Sequence, residues 1–284
     1  MAERLNGIIR VLEQGGTAIT TFASPDIATA TELATTGYDG VVFEMEHNPY
    51  ENGDLRHSLQ YLMNRRVIAS SGSIAPAVTP LVRIPPNGGE MSQWHAKQVL
   101  DSGVYGVLWP HVSTPEEAYN AVAACRYARP DDAPLLEPRG IRGDAPGAAA
   151  RYWGLTQQEY YQKADVWPLN PDGEILVMIM VEDVKAIDRL PEILKVPGIG
   201  VVVIGEGDLS QNLGHPREYD HPVVREAMDT ILRICQEHNI PCGHPHVDTS
   251  NVERVVQQGY RFMMAAPTRT YPTLNEARRL TGRS

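Results

Sequence analysis

The sequence has few cysteines and no long apolar run, and each absence narrows the class of protein. Three cysteines, Cys125, Cys235 and Cys242, form an odd, scattered set without the spacing of a metal site. We interpret them as reduced thiols and expect a cytoplasmic protein. No apolar run approaches the roughly 18–20 residues that a membrane helix needs. Residues 1–16 carry Glu3 and Glu13 and predict an amphipathic helix, not a signal peptide.

The sequence also lacks an excess of positive charge and the common phosphate-binding motifs. Its net charge of −10 argues against nucleic acid and against anionic membrane surfaces as partners. It contains neither a GxxxxGK[ST] loop nor a GxSxG motif. With 284 residues, the chain is long enough for one large α/β domain with a full core, which we assign to residues 1–284.

A strand followed by a helix recurs eight times along the chain. The predicted strands cover about residues 17–23, 40–46, 79–85, 105–112, 175–181, 199–205, 240–246 and 260–267. Eight such repeats predict a closed parallel (β/α)8 barrel, the TIM barrel. The alternative is an open doubly wound sheet, which would place a glycine-rich dinucleotide turn after the first strand. The sequence there is Ala23-Ser24-Pro25-Asp26, which is not such a turn.

One segment interrupts this repeat. Residues 129–173 are rich in proline, glycine and arginine, and the segment is too long for a plain connector. Loops of this kind are often functional lids.

Acidic residues follow two neighbouring predicted strands. Glu182 closes one apolar run and Asp208 follows the next, 26 residues further along the chain. In a parallel barrel the carboxyl ends of all strands open on the face that holds the active site. Two carboxylates there predict a seat for a hard divalent cation. The alternative is that both residues cap helices.

Other polar residues end the remaining strands. These residues are Glu44, Glu46, His47, Arg83, His111, His244 and His246. Arg83 is placed to stabilise developing oxyanion charge, unless it is an ordinary surface ion-pair residue. His47, oriented by a neighbouring carboxylate, is placed to move a proton near neutral pH. Trp109 and His111 are expected to line the mouth. For His111, His244 and His246 the alternative is that they lie behind the site residues or are simply solvated.

At these strand ends the sequence resembles the HpcH/HpaI aldolase family of metal-dependent class II pyruvate aldolases. The matching segments are FEMEHNP (43–49), LVRIP (81–85), VLDSGVYGVLWPHV (99–112), PRGIRG (138–143), MVEDVKAIDRLPEIL (180–194) and GEGDLSQNLG (205–214). Their order and spacing extend the resemblance from about residue 15 to 280.

The resemblance implies roles for particular residues. Glu182 and Asp208 correspond to the metal ligands for Mg²⁺, Mn²⁺ or Co²⁺. His47 corresponds to the proton-handling histidine and Arg83 to the enolate-stabilising arginine. The backbone N–H groups of Gly207 and Asp208 correspond to those beside the pyruvate carboxylate. The resemblance also implies a barrel whose last helix is swapped onto a neighbour within a hexamer.

Two positions depart from the family pattern. Glu44 stands where aspartate usually pairs with the histidine, and Met180 stands where a substrate-contacting glutamine is common. From the resemblance as a whole we expect a carbon–carbon lyase that cleaves a 4-hydroxy-2-oxo acid to pyruvate and an aldehyde. The aldehyde is expected to be either acidic or aromatic. The alternatives are oxaloacetate decarboxylation or citrate-synthase-like condensation at the same site, and a catalytically inactive ligand-binding barrel.

Overall fold

A closed ring of eight parallel strands forms the centre of the protein. The computed structural model describes residues 4–85, 91, 93–267 and 272–281. The strands are β1 (Ala18–Ala23), β2 (Gly40–Glu44), β3 (Thr79–Arg83), β4 (Gly106–Trp109), β5 (Val166–Trp167), β6 (Ile175–Val181), β7 (Val201–Ile204), β8 (Cys242–His244) and β9 (Phe262–Met264). The ring runs β1-β2-β3-β4-β6-β7-β8-β9 and closes through the β9–β1 pairing. The predicted (β/α)8 barrel is confirmed, and the open doubly wound sheet is excluded.

One short strand lies outside this ring. β5 has two residues, and it pairs in parallel with the first residues of β6. The sequence pattern did not predict β5, because a two-residue strand carries no measurable periodicity.

The helices lie outside the ring of strands. They are α1 (Gly7–Glu13), α2 (Ile27–Leu33), α3 (Asn52–Leu62), α4 (Arg65–Ser71), α5 (Gln93–Ser102), α6 (Pro115–Ala124), α7 (Gly147–Trp153), α8 (Gln157–Lys163), α9 (Val184–Ile193), α10 (Glu206–Asn212), α11 (Pro222–Glu237), α12 (Val252–Gln258) and α13 (Pro272–Leu280). Each barrel strand is covered by helices on its outer face and by the packed interior of the barrel on its inner face. Its sequence is therefore a continuous apolar run, and all seven residues of β6 are buried.

Helix α1 packs at the amino-terminal ends of the strands. The Asn6 side chain caps α1 by accepting from the N–H groups of Ile8 and Ile9. Its Nδ2 donates to the carbonyls of Tyr105 and Glu174, which directly precede β4 and β6. One buried amide therefore starts the helix and joins it to two strands.

The interrupting segment 129–173 is anchored at this same end of the barrel. The buried Arg126 guanidinium donates to the carbonyls of residues 135, 136 and 138 and to both carboxylate oxygens of Asp165. Asp165 directly precedes β5, and β5 pairs with the start of β6. These contacts hold the segment at the end opposite the strand tips, so its interpretation as a lid over the tips was wrong.

Two further observations concern the cysteines and the helices. Cys125, Cys235 and Cys242 are buried free thiols. Within the part of the chain that the structure describes, every helix is too short or too polar to cross a membrane.

Candidate active site

The polar residues predicted at the strand ends meet at the carboxyl-terminal mouth of the barrel. Parallel pairing aligns Glu44 of β2 with Arg83 of β3, and Arg83 with Leu108 of β4. β4 in turn pairs with β6, and β6 with β7. This register places the segments after β4, β6 and β7 side by side at the mouth.

Three side chains from these segments offer ligand atoms to a common point. One atom each of His111, Glu182 and Asp208 lies within 4.8 Å of the other two. The Glu182 side chain is buried at 3% exposure, and Asp208 is more accessible. Glu182 Oε2 accepts a hydrogen bond from the His111 backbone N–H at 2.5 Å. Two oxygens and an imidazole nitrogen form a donor set that suits a divalent cation.

The absence of a side chain at Gly205 gives the Glu182 carboxylate its position. A Cβ atom at residue 205 would lie 2.2 Å from Glu182 Oε1 and 2.3 Å from its Cγ. The carboxyl group thus lies against bare backbone, between β6 and the start of α10, and only glycine leaves room for it there.

The electrostatics of this group also fit a cation. Burial raises the pKa of Glu182 to about 8. The hydrogen bond from the His111 N–H opposes this rise, and the neighbouring carboxylates of Glu46 and Asp208 add to it. A buried carboxyl group with two acidic neighbours has a local excess of negative charge. A divalent cation would balance that charge and displace the proton.

A second cluster at the mouth is centred on Arg83. Its Nε donates to Glu44 Oε2 at 2.7 Å, and its Nη2 donates to the same oxygen. Its Nη1 lies 3.1 Å from Glu46 Oε2 and 3.7 Å from Met180 Sδ. The guanidinium carbon lies 4.6 Å above the Phe22 ring centroid. These contacts hold a positive charge beside the three candidate ligands.

The predicted pair between His47 and Glu44 is not formed. Glu44 Oε1 accepts from the backbone N–H groups of Glu46 and His47, and Glu44 Oε2 is bound to Arg83. Instead, His47 Nε2 lies 3.5 Å from Glu46 Oε2, and the His47 side chain is 67% exposed. Glu44 therefore orients the arginine and the turn, while Glu46 lies beside the histidine ring.

Glu46 was predicted at a strand end without a specific role. Its side chain contacts Arg83 and His47, and its Oε1 is 4.0 Å from His111 Nε2. Burial raises the pKa of this carboxyl group, although Arg83 opposes the rise. Its position directly before His47 in the motif EMEH was the available signal in the sequence.

Some of the other predicted site residues lie at the mouth of the barrel, and one lies on the outer side of its strands. The Met180 thioether contacts the Arg83 guanidinium. Gly207 and Asp208 lie in the first turn of α10, where the first backbone hydrogen bond of the helix runs from the Leu209 N–H to the Gly205 carbonyl. Trp109 is fully buried, and it directly follows Leu108, which pairs with Arg83. Because neighbouring strand residues point to opposite faces of a sheet, its side chain is directed away from the face of Arg83. The structure therefore places Trp109 on the helix side of the wall and does not bring it to the mouth.

His244, the last residue of β8, and His246 lie beside the mouth. His246 Nδ1 contacts Glu206 Oε1, and the buried His244 ring packs edge-on against Tyr260. Both histidines line a polar cavity of about 430 Å³ that also contacts Arg225 and Arg254. Their hydrogen-bond and ring contacts join them to this cavity and not to Glu182.

Comparisons with known proteins agree with this geometry. Residues 22–268 match the family model described as HpcH/HpaI aldolase/citrate lyase. The 2-keto-3-deoxy-L-rhamnonate aldolase of Klebsiella pneumoniae subsp. pneumoniae is 33% identical over 91% of this chain and 85% of its own length. The hydroxypyruvate/pyruvate aldolase of Paraburkholderia phytofirmans is 28% identical over 84% of this chain and 82% of its own.

A solved structure gives the same result. The crystal structure of an HpcH/HpaI aldolase/citrate lyase family protein from Burkholderia cenocepacia superposes with a TM-score of 0.74 and 26% identity, covering 97% of this chain and 95% of that one. The match of family model, relatives and fold spans nearly the whole barrel. The chain therefore belongs to the HpcH/HpaI aldolase/citrate lyase family, and it is an enzyme of the carbon–carbon lyase class.

Proposed function

We propose that this enzyme is a divalent-metal-dependent aldolase that cleaves a 4-hydroxy-2-oxo acid to pyruvate and an aldehyde, or joins them in reverse. The observation that carries the proposal is the convergence of Glu182, Asp208 and Arg83 at one mouth. Two relatives named as aldolases of hydroxypyruvate, pyruvate and a 2-keto-3-deoxy sugar acid support this substrate class.

Glu182 and Asp208 would hold Mg²⁺, Mn²⁺ or Co²⁺. When bound, such a cation supplies Lewis-acid polarisation of the 2-oxo group. The N–H groups of Gly207 and Asp208, at the start of α10, would donate to the substrate carboxylate. Met180 would pack against the small apolar end of the 2-oxo acid, because its thioether already lies against Arg83.

Arg83 and His47 would perform the remaining chemistry. The Arg83 guanidinium, fixed by Glu44 and Glu46, would stabilise negative charge as it develops on the keto oxygen. The accessible His47 ring, beside Glu46, would take the proton of the 4-hydroxyl group, directly or through water. Glu44 would act through Arg83 and not as the partner of the histidine.

A pyruvate assay coupled to lactate dehydrogenase tests this proposal. With a 4-hydroxy-2-oxo acid as substrate, we expect pyruvate release that EDTA abolishes and that excess Mg²⁺, Mn²⁺ or Co²⁺ restores. The reverse reaction, from pyruvate and an aldehyde, should show the same metal dependence. Full activity after exhaustive chelation would contradict the proposal.

The packing of Met180 favours a second candidate function. A thioether beside Arg83 gives the keto acid an apolar neighbour where glutamine is common in the family. The same site could then lose CO₂ from oxaloacetate or carry out a citrate-synthase-like condensation. Release of CO₂ from oxaloacetate, without any aldehyde-forming activity, would identify this alternative.

We also propose that α13 packs against a second copy of the chain within a hexamer. No residue of this helix is buried, and Leu274 and Leu280 are 50% and 69% exposed. An amphipathic helix with exposed leucines gains stability from a partner surface. We expect truncation after residue 267 to lower the oligomer mass in light scattering, and an unchanged mass would contradict the proposal. The double variant Glu276→Gln/Arg279→Gln, on the same helix, is the control.

A further inference from the structure

We infer that His111 is a third protein ligand of the metal, through its Nδ1 atom, and that it shifts the enzyme towards Co²⁺ and away from Mg²⁺. The inference rests on the proposed metal site of Glu182 and Asp208. It adds a nitrogen donor to a pair of carboxylates, and three independent features of His111 support it.

The first feature is distance. His111 Nδ1 lies 3.4 Å from Glu182 Oε2, and both groups lie within 4.8 Å of an Asp208 oxygen. Two ligand atoms that each bind one ion at about 2.1 Å are about 3.0 Å apart at a right angle and about 3.4 Å apart near the tetrahedral angle. The nitrogen and the oxygen are therefore already spaced as neighbouring ligands.

The second feature is the backbone. His111 has φ +53°, in the left-handed region that non-glycine residues seldom adopt. In this conformation its N–H donates to Glu182 Oε2 while its ring faces the same carboxylate. An unfavourable backbone conformation that brings both groups to one carboxyl oxygen is typical of a functional position.

The third feature is the other ring nitrogen. His111 Nε2 lies 4.0 Å from Glu46 Oε1, while the other oxygen of this carboxyl group, Oε2, faces Arg83 Nη1 at 3.1 Å. A histidine that binds a metal through one nitrogen commonly donates its other N–H to a carboxylate, which fixes the tautomer. Glu46 is positioned for that role once the ring turns slightly towards it.

A nitrogen ligand has a consequence for metal choice. Carboxylate and water ligands suit Mg²⁺, whereas imidazole increases the affinity for later divalent metals such as Co²⁺. We expect wild-type enzyme to bind Co²⁺ more tightly than Mg²⁺. Loss of the imidazole should reduce this preference about tenfold, chiefly by weakening Co²⁺ binding.

Pulsed electron paramagnetic resonance of the Mn²⁺-loaded enzyme tests the ligand directly. We expect echo modulation from a coordinated ¹⁴N nucleus, which should change when the protein contains histidine labelled with ¹⁵N in the ring. The test variant is His111→Asn, because asparagine tolerates the left-handed backbone and keeps the N–H bond to Glu182. It should lose the modulation, and the control His47→Gln should keep it.

Calorimetric titration with Co²⁺ and Mg²⁺ completes the test. His111→Asn should show the tenfold loss of Co²⁺ preference, and His47→Gln should not. Absent modulation in wild type, or modulation that survives in His111→Asn, would overturn the inference. If Asp208→Asn loses metal while wild type shows no nitrogen coupling, only the third ligand is refuted. If Asp208→Asn binds metal as wild type does, the proposed function itself fails.

Discussion

Arg83→Lys is expected to lower kcat for pyruvate release by about 10²–10³-fold, while KM changes by less. The guanidinium contacts Glu44 with Nε and Nη2 and Glu46 with Nη1, and it stacks on Phe22. A lysine ammonium keeps the charge, but it has no planar fork and cannot make these contacts together. The charge would then lie away from the keto oxygen, where it is needed in the transition state.

A matched control is available on the opposite end of the barrel. Arg139 also pairs with two carboxylates, Asp131 and Glu137, but its side chain is 56% exposed. Arg139→Lys should leave kcat and the melting temperature unchanged. Metal titration should show that Arg83→Lys still binds the cation, which separates transition-state stabilisation from metal loss. A kcat within threefold of wild type for Arg83→Lys would remove Arg83 from the proposed mechanism.

Asp165→Ala is expected to destabilise the protein by about 3–5 kcal/mol, because it leaves the buried Arg126 guanidinium without its main counter-charge. Asp165 is 2% exposed, and it accepts from Arg126 Nε at 2.7 Å and from Arg126 Nη2 at 3.2 Å. Thermal unfolding should show a decrease in melting temperature on the order of 10 °C. The residual activity at low temperature should be near that of wild type, because this pair lies far from the mouth.

Two further variants sharpen this second prediction. Asp131→Ala, whose carboxylate is 86% exposed, should leave the melting temperature unchanged. The apolar double variant Arg126→Met/Asp165→Leu should not recover wild-type stability, since the carbonyls of residues 135, 136 and 138 would lose their donor. Recovery by the double variant, or an unchanged midpoint for Asp165→Ala, would show that the pair does not hold the segment.

The same pair predicts a pH dependence of stability. Burial alone would raise the pKa of Asp165, but the hydrogen bonds and charge of Arg126 outweigh it and hold the pKa below its usual range. A depressed folded-state pKa contributes stability above the unfolded value of about 3.9. The stability difference between wild type and Asp165→Ala should therefore be constant near neutral pH and shrink as the pH falls below about 4.

Sequence patterns predicted the fold because the spacing of apolar runs determines where strands begin and end. All eight barrel strands were located, including the positions after which Glu182 and Asp208 follow. The segment 129–173 was misinterpreted because its composition does not reveal which end of the barrel it contacts. That depends on Arg126, whose buried partners are up to 39 residues away along the chain.

The candidate site was predicted in part for a related reason. Strand ends indicate which residues reach the mouth, but not which side chains pair there. Glu44 binds Arg83 of the next strand and not the ring of His47 three residues away, because parallel register sets Glu44 opposite Arg83. Trp109 directly follows Leu108, which pairs with Arg83, so alternation along β4 directs Trp109 away from the face of Arg83 and towards the helices.

Gly205 sets a limit on how this site can change during evolution or engineering. Every L-amino acid other than glycine would bring its first side-chain carbon into the volume that the Glu182 carboxyl group occupies. Libraries that diversify the barrel mouth for new substrates should therefore keep codon 205 invariant. One added methyl group there is expected to displace the Glu182 carboxyl group and to lower activity as strongly as the loss of a charge, although no polar atom is altered.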